Sequence, residues 1–137
     1  MRFPFNGNGR FQATQKRLYT VYLPLTRNDG SVQPSRLLQQ AEEGLVQLAG
    51  GLAWFHPGLG LWVPSPQARI LRDRIAPVHV VADIGPEAET QMTDLVAQIT
   101  ADFEQDQLFV FVQEVWVVEP IPAATNGVER QPLPVSN

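Results

Sequence analysis

Cysteine is absent from the 137 residues, and histidine occurs only twice, at His56 and His79. The absence of thiols excludes disulfide bonds, thiolate zinc sites, iron–sulfur clusters and a cysteine nucleophile. No stretch approaches the roughly 18 consecutive apolar residues that a membrane span needs, and the first residues lack the apolar core of a signal peptide. We therefore expect a cytoplasmic protein that does not associate with membranes.

Recognisable motifs for nucleotide, serine-hydrolase, zinc-protease and calcium sites are also absent from the sequence. Glycine is concentrated at Gly50-Gly51 and at Gly58-Leu59-Gly60. Neither place is followed by a predicted helix, so neither offers a helix N-terminus to a phosphate group. The sequence therefore predicts neither a cofactor nor a bound metal.

Charge is distributed unevenly along the chain. Residues 1–36 carry a net charge of +5, whereas residues 83–119 contain nine acidic residues and no lysine or arginine. Three of these acids, Asp102, Glu104 and Asp106, lie near the end of a predicted helix, where the helix dipole disfavours a carboxylate. We interpret them as candidate contacts to a basic protein partner, with a solubilising surface as the alternative.

Proline is abundant, with 12 residues in the chain, and its placement suggests where the folded part ends. Residues 119–137 contain four prolines and no regular apolar pattern, which predicts an extended tail. Residues 1–17 have no apolar period either, and we expect an irregular N-terminal arm. The folded domain is then predicted to span residues 18–118, which is enough for one hydrophobic core.

Apolar periodicity within this domain predicts two helices and several strands. The helices are expected at residues 34–49 and 87–105, and the strands at residues 18–25, 52–56, 78–84 and 108–118. An accessory hairpin is expected from residues 61–63 and 68–72. The order strand, helix, strand, strand, helix, strand is that of the ferredoxin-like split βαβ fold in the α+β class. This fold has two helices on one face of a four-stranded antiparallel sheet.

The second face of that sheet is predicted to carry apolar residues. Strand alternation assigns Leu18 and Tyr22 to it, or Tyr19 and Val21 if the register is shifted by one residue, together with Val81. Residues 108–118 are apolar on both faces for most of their length, which predicts a strand buried on both sides. Large exposed apolar surfaces usually mark interfaces. We therefore expect a homo-oligomer, in its simplest form a dimer that packs sheet against sheet.

The catalytic candidates are few. His79 could act as a general base beside Asp83 and Tyr22 on the open face of the sheet, because an imidazole titrates near neutral pH. His79 and Asp83 are four residues apart on one strand, about 13 Å, which is too far for a direct contact. A structural histidine on a half-buried strand is the alternative interpretation.

The stretch around the predicted hairpin contains three arginines, Arg69, Arg72 and Arg74. These side chains could bind an anionic ligand, or they could protect an edge strand from aggregation. RNA-binding modules share the predicted topology, and the first strand has their aromatic character. The strand at residues 78–84 lacks their basic and aromatic residues, however, and an isoelectric point near 5.0 opposes phosphate binding. We expect no binding to nucleic acid.

Several short segments within residues 18–118 form a recognisable pattern, namely Tyr19 to Leu23, Asp29-Gly30-Ser31-Val32, Gly51-Leu52, Gly60-Leu61-Trp62 and Phe103-Glu104-Gln105. In these segments the chain resembles a family of small bacterial proteins of unassigned activity with a ferredoxin-like core. The resemblance implies the fold and no particular activity.

Two functions are compatible with these patterns. We favour a non-catalytic oligomeric assembly protein that engages a protein partner through its acidic helix and its terminal arms. The alternative is a dimer with a small-molecule pocket on the open sheet face. Such a pocket would belong to an enzyme of the dimeric α/β-barrel kind or to a PII-like effector sensor, although a fold alone does not confer a function.

Overall fold

The computed structural model describes residues 9–63 and 65–121 of the chain. Its elements are, in order, β1 (Phe11–Pro24), α1 (Ser35–Ala49), β2 (Ala53–Trp54), β3 (Gly58–Trp62), β4 (Leu71–Ala82), α2 (Pro86–Asp102) and β5 (Val110–Pro120). The strands form one five-stranded sheet in the order β2-β4-β1-β5, and β3 also pairs with β4. This mixed α+β architecture confirms the predicted ferredoxin-like fold.

The chain divides into two compact units. The larger unit spans Gln15–Val115, and the smaller consists of the chain ends, Met1–Thr14 and Trp116–Asn137. In the described part of the smaller unit, the amide of Ile121 donates a hydrogen bond to the carbonyl of Arg10 over 3.2 Å. The core, the helices and the cavities described below belong to the larger unit.

The core lies between the sheet and the two helices. Strand alternation on β1 turns Tyr19, Val21 and Leu23 toward the helices, and the antiparallel register sets Val21 opposite Val78 on β4. The remaining buried apolar residues come from one stripe on each helix and from the same face of β4, namely Leu37, Ala41, Leu45, Ala76, Val80, Ala82, Met92, Ile99 and Phe103. One apolar stripe of each helix therefore faces the core.

The helices begin and end close to their predicted limits. Gly50, with a φ of 85°, ends α1 in the left-handed conformation and donates its amide to the carbonyl of Val46, as expected of a glycine after a helix. Gly44, within α1, allows a close approach of α2. A Cβ atom there would lie 2.9 Å from a methyl group of Leu95. Proline at the first position of α2 and acids in its first turn match the expected start of that helix.

A turn at residues 28–30 follows β1. The amide of Ser31 donates to Oδ1 of Asp29 over 2.9 Å, and the Ser31 hydroxyl donates to the same atom. These hydrogen bonds favour the ionised carboxylate, so they lower the pKa of Asp29 below the ordinary 3.8. The turn is followed by a bridge between Thr26 and Val32 and leads directly into α1.

Several predicted boundaries need correction. The N-terminal arm predicted for residues 1–17 is wrong for residues 11–17, which belong to β1. Residues 1–8 of that arm and residues 122–137 of the predicted tail lie outside the described residues, and residues 119–120 belong to β5. Helix α2 ends at Asp102 rather than at residue 105. Pairing with a strand distant in sequence extends β1, and local composition does not reveal such pairing.

The accessory hairpin exists, but its limits differ from the prediction. Gly58 to Gly60 are part of β3, although glycines weaken a strand pattern. Strand β3 pairs with residues 71–75 of β4. The second strand of the hairpin is continuous with the strand predicted at residues 78–84, and together they form β4. Both β2 and β3 pair with the same edge of this long strand. Local glycines weakened the strand pattern without preventing the pairing.

The burial predicted for the last strand is also wrong within this chain. Phe111 and Val112 of β5 are each more than half exposed. The reason is position, because β5 is the outermost strand of the sheet. A strand that is apolar on both faces therefore lies at an open edge.

Candidate functional site

A cavity of about 290 Å³ lies on the sheet face opposite the helices. The β1/β4 register turns even-numbered residues of β1 and odd-numbered residues of β4 toward this face, for example Pro24 and Ile75, which pair with each other. The β3/β4 hairpin and the segment that joins α2 to β5 complete the walls. The lining residues are Tyr22, Pro24, Gly60, Leu61, Trp62, Asp73, Ile75, Gln105, Gln107, Leu108, Phe109 and Phe111.

The most unusual group in this cavity is the carboxylate of Asp73. The residue is only 7% exposed, and its Oδ2 accepts a hydrogen bond of 2.7 Å from Nε1 of Trp62. Among the described residues, Asp73 has no other side-chain hydrogen bond and no ion pair. A buried carboxylate is costly unless a positive charge or several donors compensate it, and one neutral indole compensates it only in part.

Aromatic rings form much of the remaining wall. Tyr22 meets Phe111 edge to face, with ring centroids 5.3 Å apart and an interplanar angle of 81°. The amide of Tyr22 donates to the carbonyl of Phe109 over 3.1 Å, which ties the end of this wall to the centre of the sheet. Aromatic faces attract cations and stack on flat rings. Among the residues that the structure describes, the cavity lining has one carboxylate, two glutamines and no basic side chain.

The structure does not bring the three predicted catalytic residues into one cavity. Tyr22 lines the aromatic cavity, whereas His79 lies opposite Thr20 and its ring centroid is 4.3 Å from that of Phe55. Asp83 pairs with Lys16 and lines a second cavity of about 450 Å³ at the start of α2. A general base formed jointly by His79, Asp83 and Tyr22 finds no support in this arrangement.

The predicted anion-binding arginines Arg69, Arg72 and Arg74 line neither of these two cavities. Strand alternation turns Arg72 and Arg74 away from the face that carries Asp73. Their role in binding an anion stays a prediction. The alternation of side chains along β4 is also the one feature of the sequence that indicates that Asp73 and its neighbours Arg72 and Arg74 lie on opposite faces of the strand.

Two of the three predicted partner-binding acids have partners within the chain. Asp102 accepts a hydrogen bond from Gln98, and Glu104 forms an ion pair of 3.3 Å with Arg27. Asp106 is exposed. A role for Asp102, Glu104 and Asp106 in binding a basic partner stays a prediction.

Two further features concern metals and membranes. Among residues 9–63 and 65–121, no three acidic or histidine side chains are grouped as a metal site would require. Neither α1 nor α2 has the length and apolar character of a membrane-spanning helix.

Neither a family model nor a curated protein matches the chain. Solved structures do. A phage SAM lyase in complex with S-methyl-5'-thioadenosine is similar over 90% of this chain and 97% of its own, with 15% identity and a TM-score of 0.54. A phage SAM lyase in the apo state matches over 90% and 98%, with 14% identity and a TM-score of 0.51. CutA from Synechococcus elongatus matches over 80% and 84%, with 13% identity and a TM-score of 0.50.

At this level of identity the comparisons show a shared fold. They support the α+β ferredoxin-like architecture, which other small proteins share. The resemblance to a particular bacterial family stays a prediction, because no family model matches.

Proposed function

We propose that the protein is a homo-oligomeric small-molecule-binding protein whose aromatic cavity takes an organic cation attached to a flat ring. The observation that carries this proposal is the buried carboxylate of Asp73 among aromatic side chains. A ligand cation would supply the missing positive charge, and the neighbouring rings would add cation–π attraction. The cavity volume lies at the lower end of the range for small-molecule sites.

The similarity to phage SAM lyases suggests a specific compound for testing this ligand class. S-adenosylmethionine combines a sulfonium cation with an adenine ring, which are the two chemical features that the cavity walls favour. The likeness in fold does not assign this ligand to the chain. The assignment rests on the charge and the aromatic character of the cavity, and the proposal is one of binding, with no reaction step.

The test is calorimetric titration of the purified protein with S-adenosylmethionine and, as a matched control, with its demethylated thioether S-adenosylhomocysteine. The two ligands differ by one methyl group and by the charge on sulfur. We expect the sulfonium compound to bind about 10-fold or more tightly, because a desolvated cation over aromatic rings gains about 2 kcal/mol and the carboxylate of Asp73 attracts the same positive charge. Equal affinities would contradict recognition of the sulfonium by Asp73 and the aromatic rings, and no heat with either compound at 1 mM would overturn the proposed ligand class.

The oligomeric part of the proposal rests on the two open edges of the sheet. On one edge, β3 has no charged residue, and Leu59 is 58% exposed. On the other edge, the start of β5 is uncharged, and Phe111 and Val112 are exposed. Proteins usually protect free edges with charges or prolines, so two unprotected apolar edges favour pairing with further copies. We place the contacts along these edges rather than across the open face.

The pairing is proposed to be head to tail, with β3 of one copy against β5 of the next. A two-fold dimer would bury one kind of edge twice and leave the other in water, whereas a closed head-to-tail ring buries both. Leu59 and Val112 lie outside the cavity lining and are therefore suitable for disruption.

We expect L59K and V112K each to reduce the mass measured by light scattering to that of one chain, because a lysine blocks one of the two edges. An equimolar mixture of the two variants should give a species of two chains, since each variant keeps the edge that the other lacks. If L59K alone remained oligomeric while V112K did not, the head-to-tail pairing would be wrong. A monomeric wild-type protein at micromolar concentration would overturn the oligomer itself.

A further inference from the structure

The end of α2 is linked to the β1–α1 connection through one backbone carbonyl. The carbonyl oxygen of Phe103 accepts a hydrogen bond of 3.0 Å from Nε2 of Gln33 and one of 3.2 Å from Nε2 of Gln105. Gln33 is 2% exposed, and Gln105 is part of the cavity wall. The buried side-chain amide of Gln33 thus shares an acceptor with Gln105, which lines the cavity.

The next residue, Glu104, has an unfavourable backbone conformation. Its φ of 55° lies in the left-handed region, which glycine usually occupies after a helix. The turn is closed by the amide of Gln105, which donates to the carbonyl of Thr100 over 3.0 Å. The chain therefore changes direction at Glu104, immediately before it forms the cavity wall.

Arg27 connects the two parts of this arrangement. Its guanidinium forms the ion pair with Glu104, and its Nε donates a long hydrogen bond of 3.4 Å to Oε1 of Gln33. The ion pair joins the side chain of Glu104 to the β1–α1 connection, and the buried Gln33 binds the preceding carbonyl. Every one of these contacts lies at the start of the wall formed by Gln105, Gln107, Leu108 and Phe109.

We infer that Arg27 and Gln33 are positioning residues, which fix the direction of the cavity wall through Glu104 and Phe103 without lining the cavity themselves. This inference rests on the proposed function, because its consequence for a ligand is the placement of Gln105 and Phe109. The contact network also assigns Glu104 a role inside the chain.

Charge reversal tests this role, with R27E, E104R and the double variant R27E/E104R compared with the wild type. The matched control is R36E, which makes the same change in charge on an exposed arginine of α1. Each single reversal should weaken binding of S-adenosylmethionine about 3- to 5-fold, as expected for the loss of a partly exposed ion pair. The double variant should recover most of the affinity, and R36E should match the wild type.

Amide hydrogen exchange gives a measurement that needs no ligand. The amide of Gln105 should exchange faster in R27E and in E104R, and it should return toward the wild-type rate in the double variant. Unchanged exchange in the single variants, or no recovery in the double variant, would overturn the inference. If the wild type bound no ligand, the proposed function would fail, and the exchange of Gln105 would still decide whether Arg27 positions the wall.

Discussion

Replacing Asp73 by asparagine is expected to weaken binding of S-adenosylmethionine by roughly 30-fold, which corresponds to about 2 kcal/mol of charge–charge attraction. The substitution removes the buried negative charge and keeps a side-chain oxygen that can accept the hydrogen bond of Trp62. The cavity shape should therefore persist while the attraction for a cation is lost. Titration calorimetry of D73N with both adenosyl ligands measures the effect.

The result is specific only if two controls hold. D73N should bind S-adenosylhomocysteine as the wild type does, because the sulfur of that ligand carries no charge. D83N removes an exposed carboxylate that pairs with Lys16 outside the aromatic cavity, and it should leave both affinities unchanged. An equal loss for both ligands in D73N would indicate a damaged cavity instead of a missing charge.

Replacing Leu45 by alanine is expected to lower the free energy of unfolding by about 2–5 kcal/mol. Leu45 is fully buried and belongs to the core cluster between the sheet and both helices. Its loss combines the transfer free energy of the removed atoms with the cost of a cavity that the neighbouring side chains fill only in part. Urea denaturation at fixed protein concentration measures the change, since oligomerisation would make stability depend on concentration.

The neighbouring residue provides the control for this prediction. Val46 lies on the same helix and is 37% exposed, so V46A should cost less than about 1 kcal/mol. Similar losses in L45A and V46A would mean that α1 is not packed against the sheet in the manner described.

The sequence allowed the core to be predicted because helical and strand periods report directly which side chains face inward. The stripe through Leu37, Ala41 and Leu45 and the alternation through Val78 and Val80 both face the core. Such patterns depend only on local geometry, since 3.6 and 2 residues per repeat are fixed by the backbone. The fold class followed from the order of the elements.

The candidate site could not be predicted in the same way. Asp73 lies between arginines in the sequence, and its burial depends on Trp62, which reaches it only when the hairpin of β3 and β4 has formed. The exposure of Phe111 depends on β5 being the outermost strand, and a run of apolar residues does not reveal strand order. Glu104 is a similar case. Glycine is the residue expected in the left-handed conformation after a helix, and the partner of Glu104, Arg27, is distant in sequence.

The central position of β1 has a consequence for how the chain is made. Its two neighbours in the sheet are β4 and β5, and both are synthesised long after β1 leaves the ribosome. Until residues 71–82 emerge, the backbone of β1 lacks its first sheet partner, and the second arrives with the last strand. Pairing between distant segments slows folding, because loop entropy is lost before the contacts form. Strand β1 therefore remains unpaired during most of translation, and in that time it is exposed to premature association with other chains.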